Sequence, residues 1–263
     1  MKKYLVIGSP IEHSLSPKLH NHWIKENNID AVYDKKQLNE NAIKGIIDEV
    51  KNEKINGINV TAPFKKSVIP FLDELTALAD EAQSVNTIFK KNNKVFGDNT
   101  DIGGFEQGLK HINYSVKNKK IFILGAGGAA PSIIIALEKM GAIKIILSNR
   151  TKKKAEDLKK ARPGLEIIDW GAIPDFDMII NATSLGLKKT DEIKLNYADI
   201  GPNKLFYDII YNPKETKFLS KAKQFGNQIE NGKMMFIYQA RLAFELWHKI
   251  LPKVNDETFK IFD

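Results

Sequence analysis

The chain contains no cysteine. That excludes disulfides, thiolate metal ligands and cysteine nucleophiles, and it fits a reducing cytoplasm. Also missing is an apolar run of about 18 residues, the length a membrane helix needs. Nothing after Met1-Lys2-Lys3-Tyr4 has the form of a signal peptide. A soluble, cytoplasmic protein without a membrane partner is therefore expected. Histidine is sparse, and His13, His20 and His22 have no acidic partners at ligand spacing, so no metal site is expected. Repeats and low-complexity segments are absent. Arginine is the scarcest base: Arg150, Arg162 and Arg241 are the only ones among 40 basic residues. The net charge of +8 comes from lysines spread along the whole chain, without interleaved aromatics or a nucleic-acid motif. It predicts a mild attraction for small anions and no nucleic-acid partner.

With 263 residues and 43% hydrophobic content, the chain can build one large domain or two of ordinary size. The apolar run 121-IFIL-124 flows straight into 125-GAGGAA-130, and a second apolar run, 143-IKIILS-148, ends at Asn149-Arg150-Thr151. This is the form of a dinucleotide-binding βαβ unit. Glycines let the backbone approach a pyrophosphate, and the next helix offers its N-terminus to the charge. NAD-binding versions end the second strand in an acid that binds the ribose hydroxyls. Here Arg150 stands in that place, with Lys152, Lys153 and Lys154 behind it. A cation there suits a 2′-phosphate, so the expected cofactor is NADP. In a chain this poor in arginine, Arg150 fits planar recognition of phosphate. Lys152 and Lys153 read better as a solvated first helical turn than as phosphate ligands.

The region before the glycine loop has its own α/β rhythm. Strands are expected at 4–8, 31–38 and 57–60, with helices near 17–27 and 41–52. A helix broken at Pro70 follows, then a hairpin of 85–90 and 94–97 turning through Lys91-Asn92-Asn93. After the loop, strands are expected near 143–148, 165–168, 176–181 and 204–210. A final helix over about 233–250 carries Met234, Ile237, Ala240, Phe244 and Trp247 on one side. Two α/β units of this size imply two domains with a cleft between them, where ligands normally bind.

Three segments outside the glycine loop carry candidate chemistry. In 8-GSPIEHSLSPKLHN-21, Ser16 reads as an N-cap with Pro17 opening the helix, and Ser14 adds a second hydroxyl. The pair suits a carboxylate, and a plain cap accounts for Ser16 equally well. In 59-NVTAPFKKS-67, Pro63 is expected to open another helix, which puts Lys65 in a first turn where the dipole disfavours a cation. That placement hints at function, whereas Lys66 reads as an ordinary solvated lysine. In 97-GDNTDIGGF-105, Asp98 and Asp101 compete to cap the next helix, and spacing does not choose between them.

Together these segments resemble the signature set of the shikimate dehydrogenases. Further matches are 84-SVNT-87, 149-NRT-151, 181-NATSLG-186, 207-YDIIYNP-213 and 232-GKMMFIYQA-240, in family order over nearly the whole chain. The resemblance implies two α/β domains: a substrate domain of residues 1–102 plus 236–263 with a mainly parallel sheet, and a Rossmann-type NADP domain of 103–235. It implies reversible, NADPH-dependent reduction of 3-dehydroshikimate to shikimate in aromatic amino-acid biosynthesis. Lys65 and Asp101 become the catalytic pair. The substrate is taken by Ser14, Ser16, Asn59, Thr61, Asn86, Asp101, Tyr211 and Gln239. Gly125, Ala126, Gly127, Gly128, Ala129 and Ala130 hold the pyrophosphate, and Asn149, Arg150, Thr151 and Lys154 the adenosine phosphate. Thr183, Ile209 and Gly232 line the rest of the cofactor path, with no metal, in a monomer or homodimer. Departures from the family pattern are Ser9, Asp98, Lys233 and Phe236. A quinate/shikimate dehydrogenase of broader range is the rival enzyme. A non-catalytic NADP sensor would have lost Lys65 or Asp101, and both are present.

Overall fold

The computed structural model describes residues 1–262. The chain divides into two compact units, Met1–Gly104 with the stretch from Ile237 onward, and Phe105–Phe236. In chain order the elements are β1 (Lys2–Gly8), α1 (Ser16–Glu26), β2 (Ala31–Gln37), α2 (Ile43–Lys51), β3 (Gly57–Val60), β4 (Glu74–Leu75), α3 (Ala77–Ala82), β5 (Thr87–Lys91) and β6 (Lys94–Asp98). Next come α4 (Thr100–His111), β7 (Lys120–Leu124), α5 (Ala130–Lys139), β8 (Lys144–Ser148), α6 (Lys152–Ala161), β9 (Glu166–Ile168), β10 (Met178–Asn181) and α7 (Tyr197–Ile200). The chain closes with β11 (Leu205–Asp208), α8 (Lys217–Gln224), β12 (Gln228–Glu230), α9 (Lys233–His248) and α10 (Asp256–Lys260). Among the described residues no helix is long and apolar enough to cross a membrane.

The first unit is built on a mixed sheet in the order β2-β1-β3-β5-β6-β4. Its β1–β2, β1–β3 and β4–β6 pairs are parallel, and β3–β5 and β5–β6 are antiparallel. On α2, Ile43, Ile46, Ile47 and Val50 recur at helical spacing and are all buried, in one cluster with Ile7, Ile58 and Val60 of the central strands. The hairpin turns through Asn92 and Asn93, both at positive φ (49° and 62°), the geometry a two-residue turn needs to match strand twist. On α9 the expected apolar residues are all buried, and Trp247 Nε1 donates to the Ile88 carbonyl at 3.1 Å.

Neither Pro63 nor Pro70 sits in an α-helix. Residues 62–68 run as successive turns, followed by one 3₁₀ turn at Ile69–Phe71. A helix would need the Ile69 N–H on the Lys65 carbonyl. Instead Ile69 bonds to Lys66, and the Lys65 carbonyl accepts from Val85 N–H at 2.8 Å. A bond from a distant segment engages the acceptor that the helical ladder would use.

Beneath this sheet lies His20, 1% exposed, with no hydrogen-bond partner on either ring nitrogen. Its ring stacks on Tyr33 at 4.2 Å and 3° and meets Trp23 edge-on. Burial, with a smaller effect from His248, pushes its pKa down from 6.5 to about 3. The unfolded chain therefore binds a proton between those values that the folded chain refuses, so stability falls as pH drops through this window. Calorimetric melting from pH 7 to pH 4 should show a steep loss of Tm in the wild type and a shallower one in His20→Phe. Equal slopes would remove His20 from the account.

The second unit has an all-parallel sheet in the order β12-β11-β10-β7-β8-β9. Counting from β7, this is the 3-2-1-4-5-6 order of the doubly wound dinucleotide fold. Phe122, Ile146, Ile179 and Phe206, one from each of four central strands, fill one side of its core with Phe218 and Leu219 of α8. The order reverses between β7 and β10, and ligands bind at the carboxyl ends of such a pair.

Candidate active site

In the first unit the carboxyl ends of β1 and β3 are zipped together. Thr61 N–H donates to the Ile7 carbonyl at 2.9 Å, and Ser9 N–H to the Ala62 carbonyl at 3.1 Å. From this edge a continuous polar network runs inward. The Ser16 side chain acts on the Tyr33 phenol, which donates to Asn59 Oδ1 at 2.7 Å. Asn59 Nδ2 donates to the Asn86 carbonyl and to Thr87 Oγ1, both at 3.1 Å. Asn86 Nδ2 lies 2.9 Å from Asp101 Oδ1 and 3.2 Å from Gln239 Oε1. The other Asp101 oxygen accepts from Lys65 Nζ. The ion pair is sheltered, with side chains 14% and 7% exposed, while Lys66 is exposed. Asn59, Asn86, Asp101 and Gln239 share one hydrogen-bonded network, with Ser16 beside its Tyr33 end. Ser14 Oγ accepts from Ser16 N–H at 3.3 Å, and Thr61 sits at the zipped edge.

Two local expectations change. Ser16 is not the N-cap of α1: Leu15 is, in αR geometry and with no side-chain capping bond. At the start of α4 neither aspartate caps. Asn99 Oδ1 accepts from Ile102 N–H at 3.3 Å, and Asp98 is engaged by the Thr76 hydroxyl and by Asn99 N–H. Asp101 is therefore free to hold Lys65. Tyr33, Thr87 and Thr100, whose hydroxyl accepts from Asn86 Nδ2 at 2.9 Å, are members of the network that the sequence did not single out. The only signal for Tyr33 was an aromatic hydroxyl in a strand that otherwise turns polar, as 31-AVYDKKQ-37 does.

In the second unit, Gly125 follows β7 with φ +107°. A Cβ there would lie 2.7 Å from Thr183 Cγ2 and 2.9 Å from the Ala182 carbonyl, so only glycine fits against the loop after β10. Gly127 and Gly128 are exposed, and Ala129 and Ala130 open α5, which has no side-chain cap. A helix start without a side-chain cap beside exposed glycines suits a pyrophosphate. Asn149 ties the loop down instead of pointing away from it: its Oδ1 accepts from Ala126 N–H at 3.0 Å, and its Nδ2 donates to the Thr151 carbonyl at 2.8 Å. Arg150, Thr151 and Lys154 are exposed around the start of α6, again without a side-chain cap. Lys152 pairs with Asp169 at 2.8 Å. Among the described residues Arg150 has no ion pair, whereas Arg162 pairs with Glu138 and Arg241 donates to the Pro252 carbonyl. A free guanidinium at an uncapped helix start fits a 2′-phosphate. Gly232 packs on Ile209, whose carbonyl would lie 2.0 Å from an added Cβ. The Tyr211 and Phe236 rings meet at 4.5 Å, tilted by 39°.

A doubly wound sheet with a glycine loop at its switch point, in a chain that also shelters a lysine–aspartate pair, defines a dinucleotide-dependent oxidoreductase. The family description "Shikimate dehydrogenase substrate binding domain" matches residues 6–88, and "Shikimate / quinate 5-dehydrogenase" matches 107–209. The shikimate dehydrogenase (NADP(+)) of Pelagibacter ubique is 58% identical over 262 residues, covering 100% of this chain and 99% of that one. The crystal structure of the Aquifex aeolicus shikimate dehydrogenase superposes with a TM-score of 0.92 at 40% identity, covering 100% and 97% of the two chains. That of the Thermus thermophilus enzyme, solved with NADP(H) and shikimate, gives 0.90 at 29% identity, covering 100% and 97%. This chain belongs to the shikimate dehydrogenase family.

Proposed function

We propose that this chain catalyses the reversible, NADPH-dependent reduction of 3-dehydroshikimate to shikimate in aromatic amino-acid biosynthesis, with Lys65 and Asp101 handling the proton. The observation that carries the proton chemistry is the sheltered Lys65–Asp101 ion pair, fixed from behind by Asn86. When bound, NADPH supplies the hydride. The ketone oxygen then gains negative charge and needs a proton, and the Lys65 ammonium donates it. Asp101 and Asn86 hold Lys65 in place. In the oxidation direction the neutral amine takes the hydroxyl proton back. General acid catalysis of this kind contributes about 10²–10⁴-fold.

Shikimate offers one carboxylate and three hydroxyls. We assign the carboxylate to Ser14 and Ser16, and the ring hydroxyls to Asn59, Thr61, Asn86, Asp101 and Gln239, with Tyr211 completing the shell. The glycine loop would hold the pyrophosphate, Arg150 and Lys154 the 2′-phosphate, and Thr183, Ile209 and Gly232 the nicotinamide half. The first unit is the substrate domain and the second the cofactor domain. We assign the enzyme to the cytoplasm, as a monomer or homodimer that binds no nucleic acid.

Initial rates with shikimate and with quinate, each against NADP and NAD, test this reading. Shikimate with NADP should be the preferred pair by a wide margin. Comparable rates with quinate or with NAD would make it a quinate/shikimate dehydrogenase of broad range.

A further inference from the structure

The second unit buries a carboxylate that the reaction does not use. Asp208, at the carboxyl end of β11, is 0% exposed. Its Oδ1 accepts from Asn181 Nδ2 and from Ile210 N–H, both at 3.0 Å, and its Oδ2 from the Thr216 hydroxyl at 2.7 Å. Burial pushes its pKa up to about 6, and these three donors oppose that rise. Every group facing it donates, so the ionised carboxylate is the form the site is built for.

Asn181 carries the connection onward. It closes β10, and its Oδ1 accepts from Thr183 N–H at 3.0 Å and from the Thr183 hydroxyl at 2.7 Å. Its backbone carbonyl accepts from Ile209 N–H at 3.1 Å. Thr183 is the residue packed on Gly125, and Ile209 the one packed on Gly232. One carboxylate thus joins the loop after β10 to the loop after β11 at the point where both meet the glycines.

We infer that Asp208 is a positioning residue for the cofactor: through Asn181 and the Ile210 N–H it fixes the places of Thr183 and Ile209 and so sets the affinity of the second unit for NADP. The inference rests on the reading that this unit holds NADP. Asp208→Asn keeps the shape but turns an NH₂ group toward one set of donors. Only the Thr216 hydroxyl can rotate to accept it, and Asn181 and Ile210 keep one oxygen between them.

Calorimetric titration with NADP⁺ and with shikimate, together with thermal melting, tests this on Asp208→Asn and on Thr216→Val, which removes one donor to Asp208 and the side-chain cap of α8. Asp208→Asn should raise the Kd for NADP⁺ roughly ten-fold, the scale of a lost hydrogen bond to a charged group, and leave that for shikimate unchanged. Thr216→Val should move NADP⁺ affinity the same way by less, and it decides the matter if the asparagine variant does not fold. A lowered Tm with wild-type NADP⁺ affinity would overturn the inference and leave Asp208 a structural group. Arg150→Ala, at the other end of the cofactor, separates the two readings. If it weakens NADP⁺ while Asp208→Asn does not, only the inference falls. If neither variant weakens NADP⁺, the cofactor site falls with it.

Discussion

Replacing Lys65 by alanine should lower kcat by at least about 10²-fold, the scale for losing a positioned proton donor. The Michaelis constant for shikimate should change far less. The ammonium matters chiefly when charge develops on the ketone oxygen, whereas Asn59, Asn86 and Gln239 bear on substrate in both states. Lys66→Ala is the control: Lys66 is exposed one residue away and should behave like wild type. Asp101→Asn should also lose kcat, because Lys65 then lacks the anion that holds it. The double variant should be little worse than the poorer single one, since residues acting as a unit are not additive. Lys65→Ala also leaves the Asp101 carboxylate sheltered with only Asn86 for a partner, so its Tm should fall while Lys66→Ala stays unchanged. Steady-state kinetics on the four variants decide. Near-normal kcat with a raised Michaelis constant in Lys65→Ala would make Lys65 a binding residue and send the search for the donor elsewhere.

Lys65 also shows where local pattern stops being informative. Its oddity was argued from a helix dipole, but the helix does not exist. The Lys65 carbonyl is claimed by Val85, 20 residues away, and no window of neighbouring residues contains that bond. The start of α4 is similar. Three polar side chains crowd one cap, and the choice of Asn99 depends on Thr76 having already engaged Asp98. Strands were legible because their apolar runs are continuous and bounded, as at Tyr4–Gly8 or Gly57–Val60. The doubly wound order followed from the glycine loop and the rhythm after it. Tyr33 and Asp208 were not legible, because a buried polar residue in a strand looks the same in sequence whether it serves a network or a turn. Both became visible only through partners 26 and 27 residues distant.

Arg150→Ala should raise the Michaelis constant for NADP about 10–150-fold, corresponding to roughly 1.5–3 kcal/mol for a charge-assisted contact. The weak activity with NAD should hardly move, because NAD lacks the 2′-phosphate. The structure sharpens this expectation by removing the alternative. Arg150 is exposed and has no ion pair or hydrogen bond among the described residues, so its loss takes nothing from the fold and its Tm should equal wild type. Arg162→Ala is the contrast. It breaks the pair with Glu138 and should leave the NADP constant alone. Lys154, exposed in the first turn of α6, leaves a residual cation near the phosphate, so Arg150→Ala should retain some preference for NADP over NAD. Removing both cations should abolish it. If instead the NADP and NAD constants rose together in Arg150→Ala, the guanidinium would be acting on the adenosine that both cofactors share. The preference would then have to come from the uncapped amides at the start of α6.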